Sequence, residues 1–182
     1  RKLKEADQAT RNSKTNAGLM GIEIAGKKLG IIGTGAIGQR VADIGSAFGA
    51  TVYGYNRSHK ASNIAYTDLD TLLSTCDIVT VHLPLNQETH HLLSREKLSL
   101  MKKDAILINT ARGGVINNAA LAELLKEGKI AGAGIDVYDG EPPLAKDDPL
   151  LLAPHTVLAP HVGFDTEEAM QRRAVIVFDN IK

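Results

Sequence analysis

The sequence predicts a doubly wound, parallel α/β sheet. Three observations point there. Short apolar runs of strand length alternate with helical patterns along the chain. The first run, Leu29-Gly30-Ile31-Ile32, leads into Gly33, Gly35 and Gly38 at the start of a helix. Aromatic residues make up only 4% of the 182 and tryptophan is absent. The core must then be built from Leu, Ile, Val and Ala, as in parallel sheets covered on both faces.

The elements follow in order. Residues 1–26 are read as the remnant of a helix and a linking loop, and 27–182 as a dinucleotide-binding domain. Beginning inside a helix is what a piece of a longer chain would do. Gly21 to Lys28 nearly matches a phosphate-binding P-loop. It fails twice: its last position is Lys, and it precedes the strand. The first strand is followed by a helix with Ile37, Val41, Ile44 and Phe48 at helical spacing and Gly49 at its end. Thr51–Tyr55 is the second strand, Asp68–Ser74 a short helix, and Asp77–Val81 the third strand. Ser94 caps a helix reaching Met101. Ala105–Ile108 is the fourth strand. Asn118 caps a helix with Leu121, Leu124 and Leu125 inward and Gly128 at its end. Ala131–Val137 and Thr156–Ala159 are the fifth and sixth strands. Asp165 and Glu168 form an acidic capping box for a last helix striped by Met170, Ala174, Val177 and Ile181.

Bulk properties exclude several classes. The 21 basic and 21 acidic residues leave a formal net charge of zero. No Lys/Arg run marks a nucleic-acid groove, and no apolar stretch or leader marks a membrane protein. A single cysteine, Cys76, allows no internal disulfide, which fits a reducing, cytoplasmic setting.

The G-x-G-x-x-G order has a physical reading. Gly33 allows a tight turn, Gly35 lets the backbone approach a pyrophosphate, and Gly38 lets helix and strand pack closely. The free N–H groups at the helix start then face the phosphates. This makes the sheet Rossmann-like. Ligands of such sheets sit beyond the carboxyl ends of the strands. After the second strand stand Asn56, Arg57 and Ser58, where NAD-specific folds usually place Asp or Glu about 20 residues past the glycines. Asn56, Arg57 and Ser58, with His59 and Lys60 beyond, bring donors and no negative charge. NADPH is therefore favoured somewhat over NADH.

Three further residues suit one reaction. Arg112, in Asn109-Thr110-Ala111-Arg112-Gly113-Gly114, is a planar cation able to grip a carboxylate and polarise a 2-oxo group. Glu141 precedes Pro142-Pro143. Of the six histidines, only His161 combines a strand end with a flanking proline and a nearby glycine. Oxidising a 2-hydroxy acid requires loss of a hydroxyl proton as hydride leaves carbon. His161 can take that proton and return it in reduction, and Glu141 would favour its imidazolium form. A Tyr-x-x-x-Lys pair is absent, and one cysteine makes a catalytic zinc site unlike this chain, so no metal is expected.

Five ordered motifs now carry a family resemblance. They are Gly33-Thr34-Gly35-Ala36-Ile37-Gly38, Val81-His82-Leu83-Pro84-Leu85, Asn109 to Gly114, Gly132-Ala133-Gly134-Ile135-Asp136-Val137 and Pro160-His161-Val162-Gly163. Together they resemble the D-isomer-specific 2-hydroxyacid dehydrogenases over nearly the whole chain. The resemblance implies Arg112, Glu141 and His161 as catalytic residues. It implies cofactor contacts at Ala36, Ile37, Asn56, Pro84, Thr89, Thr110 and Asp136. Ala111, Arg112, His161 and Gly163 join Gly33, Gly35, Gly38, Arg57 and Ser58 as candidate contacts to NAD or NADP.

Members acting on formate usually carry Gln at the position of Glu141, so the resemblance implies a hydroxyacid enzyme. It also implies that the chain is the cofactor domain only, with the substrate-binding domain absent, and a homodimer in the full-length protein. Such a fragment alone is expected to turn over slowly or not at all. Glyoxylate, hydroxypyruvate, lactate-type and phosphoglycerate substrates all stay open, as does a nucleotide-sensing interaction module without catalysis.

Overall fold

The computed structural model describes residues 2–58, 64–140 and 142–181. Seven parallel strands form one sheet: β1 (Lys28–Ile32), β2 (Thr51–Tyr55), β3 (Ala65–Tyr66), β4 (Ile78–Val81), β5 (Ile106–Asn109), β6 (Gly132–Ile135) and β7 (Thr156–Leu158). Their order across the sheet is β3-β2-β1-β4-β5-β6-β7. The chain runs outward from β1 to β3, then returns to place β4 on the other side of β1. That reversal is the topological switch point at which such sheets bind ligands. The two-residue β3 is an addition to the six expected strands. The second strand keeps its expected bounds, the strand expected at 105–108 shifts by one residue to Ile106–Asn109, and the one expected at 131–137 shortens to Gly132–Ile135.

The helices are α1 (Leu3–Arg11), α2 (Ala36–Ala47), α3 (Leu69–Thr75), α4 (Arg95–Leu98), α5 (Asn118–Lys126) and α6 (Glu167–Ile181). Asp68 and Ser94 cap α3 and α4 through the N–H groups of Thr71 and Lys97. Two caps fall one residue from expectation. Asn117, not Asn118, accepts the Ala120 N–H at the start of α5. The Thr166 hydroxyl, not Asp165, accepts the Ala169 N–H at the start of α6. In both cases the capping oxygen must sit on the last non-helical residue to reach the N–H three positions on.

Of the apolar stripe on α2, Val41 alone packs half-buried, against the core group around Leu29 and Val52. Gly38, Ala42 and Gly45 are buried, whereas Ile37, Ile44 and Phe48 are 69%, 51% and 61% exposed. Small residues bring the helix axis close to the sheet: a Cβ on Gly45 would lie 2.4 Å from Leu29 Cδ2. Bulky side chains on that face would hold the helix away. The other expected inner face holds, since Leu121, Leu124 and Leu125 of α5 are all buried. The main core joins α3, α4 and α5 to β4, β5 and β6, with Leu72, Leu98, Leu107, Leu121 and Ile135 among its buried members. Cys76 lies in this core, and burial pushes its thiol up to about 12. Helices α1 and α6 bury no residue. Among the described residues no helix is long and apolar enough to cross a membrane.

Candidate functional site

Parallel register sets the carboxyl ends in one row. Tyr55, Ile32, Val81, Asn109, Ile135 and Leu158 stand side by side across the sheet. Neighbouring strands lie about 4.8 Å apart. The residues just beyond this row are Asn56, Gly33, His82, Thr110, Asp136 and Ala159. Nearly every candidate from the sequence therefore lies on one edge.

The turn after β1 has the geometry the glycines foretold. Gly33 has φ +96°, and its N–H donates to the Tyr55 carbonyl at 2.8 Å. A Cβ there would strike the His82 carbonyl at 2.8 Å, and one on Gly38 would strike the Gly33 carbonyl oxygen at 2.1 Å. Gly35 differs: nothing lies within 4 Å of the Cβ it lacks. It begins α2 with no side-chain cap and no acidic residue in the first turn. Open space, unshared N–H groups and a positive helix end together fit a pyrophosphate. Ala36 and Ile37 are exposed beside it.

A pocket of about 290 Å³ adjoins this turn, between the ends of β2 and β4. Tyr55, Leu83, Pro84 and Leu92 give it apolar walls, with Asn56, Arg57 and Thr89 as polar lining. Asn86 ties the 84–89 turn: its side-chain oxygen accepts from the N–H groups of Glu88 and Thr89 at 2.9 and 3.0 Å. The Thr89 hydroxyl donates to the Pro84 carbonyl at 2.7 Å. Asn56 donates to the Ser58 carbonyl at 2.8 Å. Arg57 donates to Glu88 Oε2 at 2.7 Å. Glu88 is a pocket residue that sequence reasoning missed. His59 and Lys60 lie outside the described residues.

Beyond β5, fully buried Asn109 shapes the next loop. Its side-chain oxygen accepts the Ala111 N–H and its amide donates to the Arg112 carbonyl, both at 3.0 Å. Arg112 itself is exposed, its guanidinium donating to the Ala111 carbonyl at 2.7 Å. The loop then enters a 3₁₀ turn at Gly113–Val115. A Cβ on Gly113 would lie 1.8 Å from the Tyr138 carbonyl, so this loop and the segment that follows β6 are in direct backbone contact.

Asp136 follows β6 and is 6% exposed. Its two oxygens accept the N–H groups of Val162 and Gly163 at 2.9 and 2.8 Å. A Cβ on Gly163 would come within 2.8 Å of the same carboxylate. These bonds fix the chain on the far side of His161, which sits at φ +61°, uncommon for a residue with a side chain. Tyr138 donates to the Ala159 carbonyl at 3.0 Å on the near side. The half-buried His161 ring packs edge-on against Phe164, centroids 5.4 Å apart. Glu141 lies outside the described residues.

The remaining histidines differ in setting. His82 Nε2 and Thr80 Oγ1 share a hydrogen bond at 3.0 Å, and burial lowers the His82 pKa. His90, His91 and Asp139 bring possible ligand atoms within 4.8 Å of one another. The two imidazoles, however, stack at 4.0 Å with planes 26° apart. His91 Nε2 also lies 3.3 Å from Asp139 Oδ2.

Comparison with known proteins gives these features a context. The family described as "D-isomer specific 2-hydroxyacid dehydrogenase, NAD binding domain" matches residues 1–163. A glyoxylate reductase of Aeropyrum pernix is 44% identical over 168 residues, covering 90% of this chain and 50% of the relative. A D-3-phosphoglycerate dehydrogenase of Methanocaldococcus jannaschii is 44% identical over 169 residues, covering 89% of this chain and 32% of the relative. The chain thus spans half or less of these two curated relatives. Among solved structures, an acyclic imino acid reductase in complex with NADPH and D-Arg superposes with a TM-score of 0.91 at 36% identity. It covers all of this chain, which spans 59% of that protein. A D-lactate dehydrogenase of Aquifex aeolicus complexed with NAD and lactic acid gives 0.88 at 32% identity, covering 98% of this chain and 61% of its own.

Proposed function

This chain belongs to the D-isomer-specific 2-hydroxyacid dehydrogenases, as their NAD-binding domain, and from that premise we propose that it serves an oxidoreductase interconverting a D-2-hydroxy acid and its 2-oxo acid. One observation carries the reading. The open glycine turn, the Arg112 loop and the His161 loop all stand on the carboxyl edge of one sheet, and the last is clamped by Asp136.

Each part has a role there. Gly35, Ala36 and Ile37 present backbone N–H groups to the dinucleotide pyrophosphate, and the pocket beside Tyr55, Pro84 and Thr89 takes the adenosine end. The bound nicotinamide supplies or accepts the hydride. Arg112 holds the substrate carboxylate with its fixed pair of donors and polarises the 2-oxo group. His161 gives a proton to the carbonyl oxygen during reduction and takes it back from the hydroxyl during oxidation. Glu141 is its acidic partner in this proposal. Both NADH and NADPH are accepted, because Asn56, Arg57 and Ser58 bring no carboxylate. The small 2-oxo acid is chosen by groups beyond this edge, and a homodimer in the cytoplasm is the working form.

The test uses the full-length protein with a panel of 2-oxo acids and both reduced cofactors. His161→Ala is expected to lower kcat by about 10²–10⁴-fold while dinucleotide binding persists. A normal kcat in that variant would remove His161 from the mechanism.

A further inference from the structure

The loop after β2 lacks the carboxylate that would reject a phosphorylated ribose, but a carboxylate reaches the same place from the opposite wall. Arg57 follows β2, and Glu88 belongs to the turn after β4. They meet at 2.7 Å across the rim of the 290 Å³ pocket that both line. The backbone of Glu88 is held by Asn86 and by the neighbouring Thr89 bonds, so the carboxylate is presented from a fixed turn. The side chains are 85% and 70% exposed, so the pair exchanges partners at little cost.

We propose that Glu88 is the residue that sets the balance between NADH and NADPH. The inference rests on the reading of this cleft as a dinucleotide site. A cofactor with a bare ribose leaves the pair in place. A 2′-phosphate must either draw Arg57 away from Glu88 or lie beside a carboxylate of its own sign. Either route weakens the phosphorylated cofactor relative to the other. One of the two amide N–H donors of Asn56 is already given to the Ser58 carbonyl.

Glu88→Gln keeps size and removes the charge. The test is titration of NADH and NADPH, followed by their own fluorescence, on wild type, Glu88→Gln, Arg57→Ala and the double variant. Glu88→Gln is expected to shift the affinity ratio toward NADPH by about three- to tenfold, the range of a rim charge pair plus a like-charge contact. The shift should shrink in the Arg57→Ala background, because part of it comes from freeing the guanidinium. A ratio within twofold of wild type in Glu88→Gln would overturn the role of Glu88. A shift of full size without Arg57 would overturn the pairing as its cause. Binding of neither cofactor by wild type would instead overturn the reading of the cleft, and the inference with it.

Discussion

Two glycines of the turn after β1, three residues apart, should respond to alanine in opposite ways. At Gly38 the added methyl carbon would lie 2.1 Å from the Gly33 carbonyl oxygen and 3.1 Å from Ile31 Cγ2. The obstructing oxygen belongs to backbone held by the Gly33 to Tyr55 hydrogen bond, so α2 must move off the sheet. Overpacking of this kind costs about 1–3 kcal/mol. At about 2–4 °C per kcal/mol for a chain of this size, the Tm should fall by roughly 2–12 °C. At Gly35 the same carbon meets nothing within 4 Å, and φ is −70°, open to any residue. Alanine there should leave stability unchanged or raise it by about 0.4–1 kcal/mol through the unfolded chain. Its methyl group nevertheless occupies the space a pyrophosphate needs. Dinucleotide affinity should fall at least about tenfold, or about 1.4 kcal/mol. Melting by circular dichroism and NADH titration, run on both variants, separate the two effects. Wild-type NADH affinity in Gly35→Ala would refute the placement of the phosphates. Equal losses of Tm in the two variants would refute the packing geometry.

Two other expectations concern carboxylates. Asp136→Asn places an amide N–H against the N–H of Val162 or Gly163, so one bond is replaced by a donor–donor clash. Urea unfolding should show a loss of about 1–3 kcal/mol, and an unaltered midpoint would show that the clamp contributes nothing. Asp77 accepts bonds from Lys102 and from the Lys28 N–H, which hold its pKa below the usual carboxylate value. A depressed folded pKa gives stability that is complete above the unfolded value near 3.9 and is lost as pH falls through the folded value. Wild type should therefore exceed Asp77→Asn by about 1 kcal/mol near pH 7, Lys102 being partly exposed and screened. The gap should narrow progressively as urea titrations are taken below the unfolded value near 3.9, and a gap independent of pH would contradict the assignment.

Local features of the fold were legible where a residue's chemistry acts within its own neighbourhood. The glycine turn, the cap at Ser94 and the inward leucines of α5 all follow from short-range rules. The α2 stripe misled because period alone does not say which face is buried. There the small residues, not Ile37, Ile44 and Phe48, decide how close the helix lies. β3 left no pattern because Ala65 and Tyr66 offer only two paired positions, Tyr53↔Ala65 and Gly54↔Tyr66. In the site, Arg112, Asp136 and His161 could be found from strand ends. Glu88 could not, since its partner is 31 residues away and the pairing depends on how β2 and β4 flank β1. The bonds from Asp136 to Val162 and Gly163 were hidden for the same reason, being contacts across 26 and 27 residues.

The backbone contact between Gly113 and Tyr138 has a bearing on how this edge could be re-engineered. With Asn109 bracing the Arg112 loop and Asp136 bracing the His161 loop, three strand ends are joined into one casting. Transplanting Arg112 or His161 singly onto another parallel sheet would carry the side chain without the mould that aims it. The transferable unit is the set 109–114, 136–138 and 159–163, moved together onto three adjacent strands in the same register.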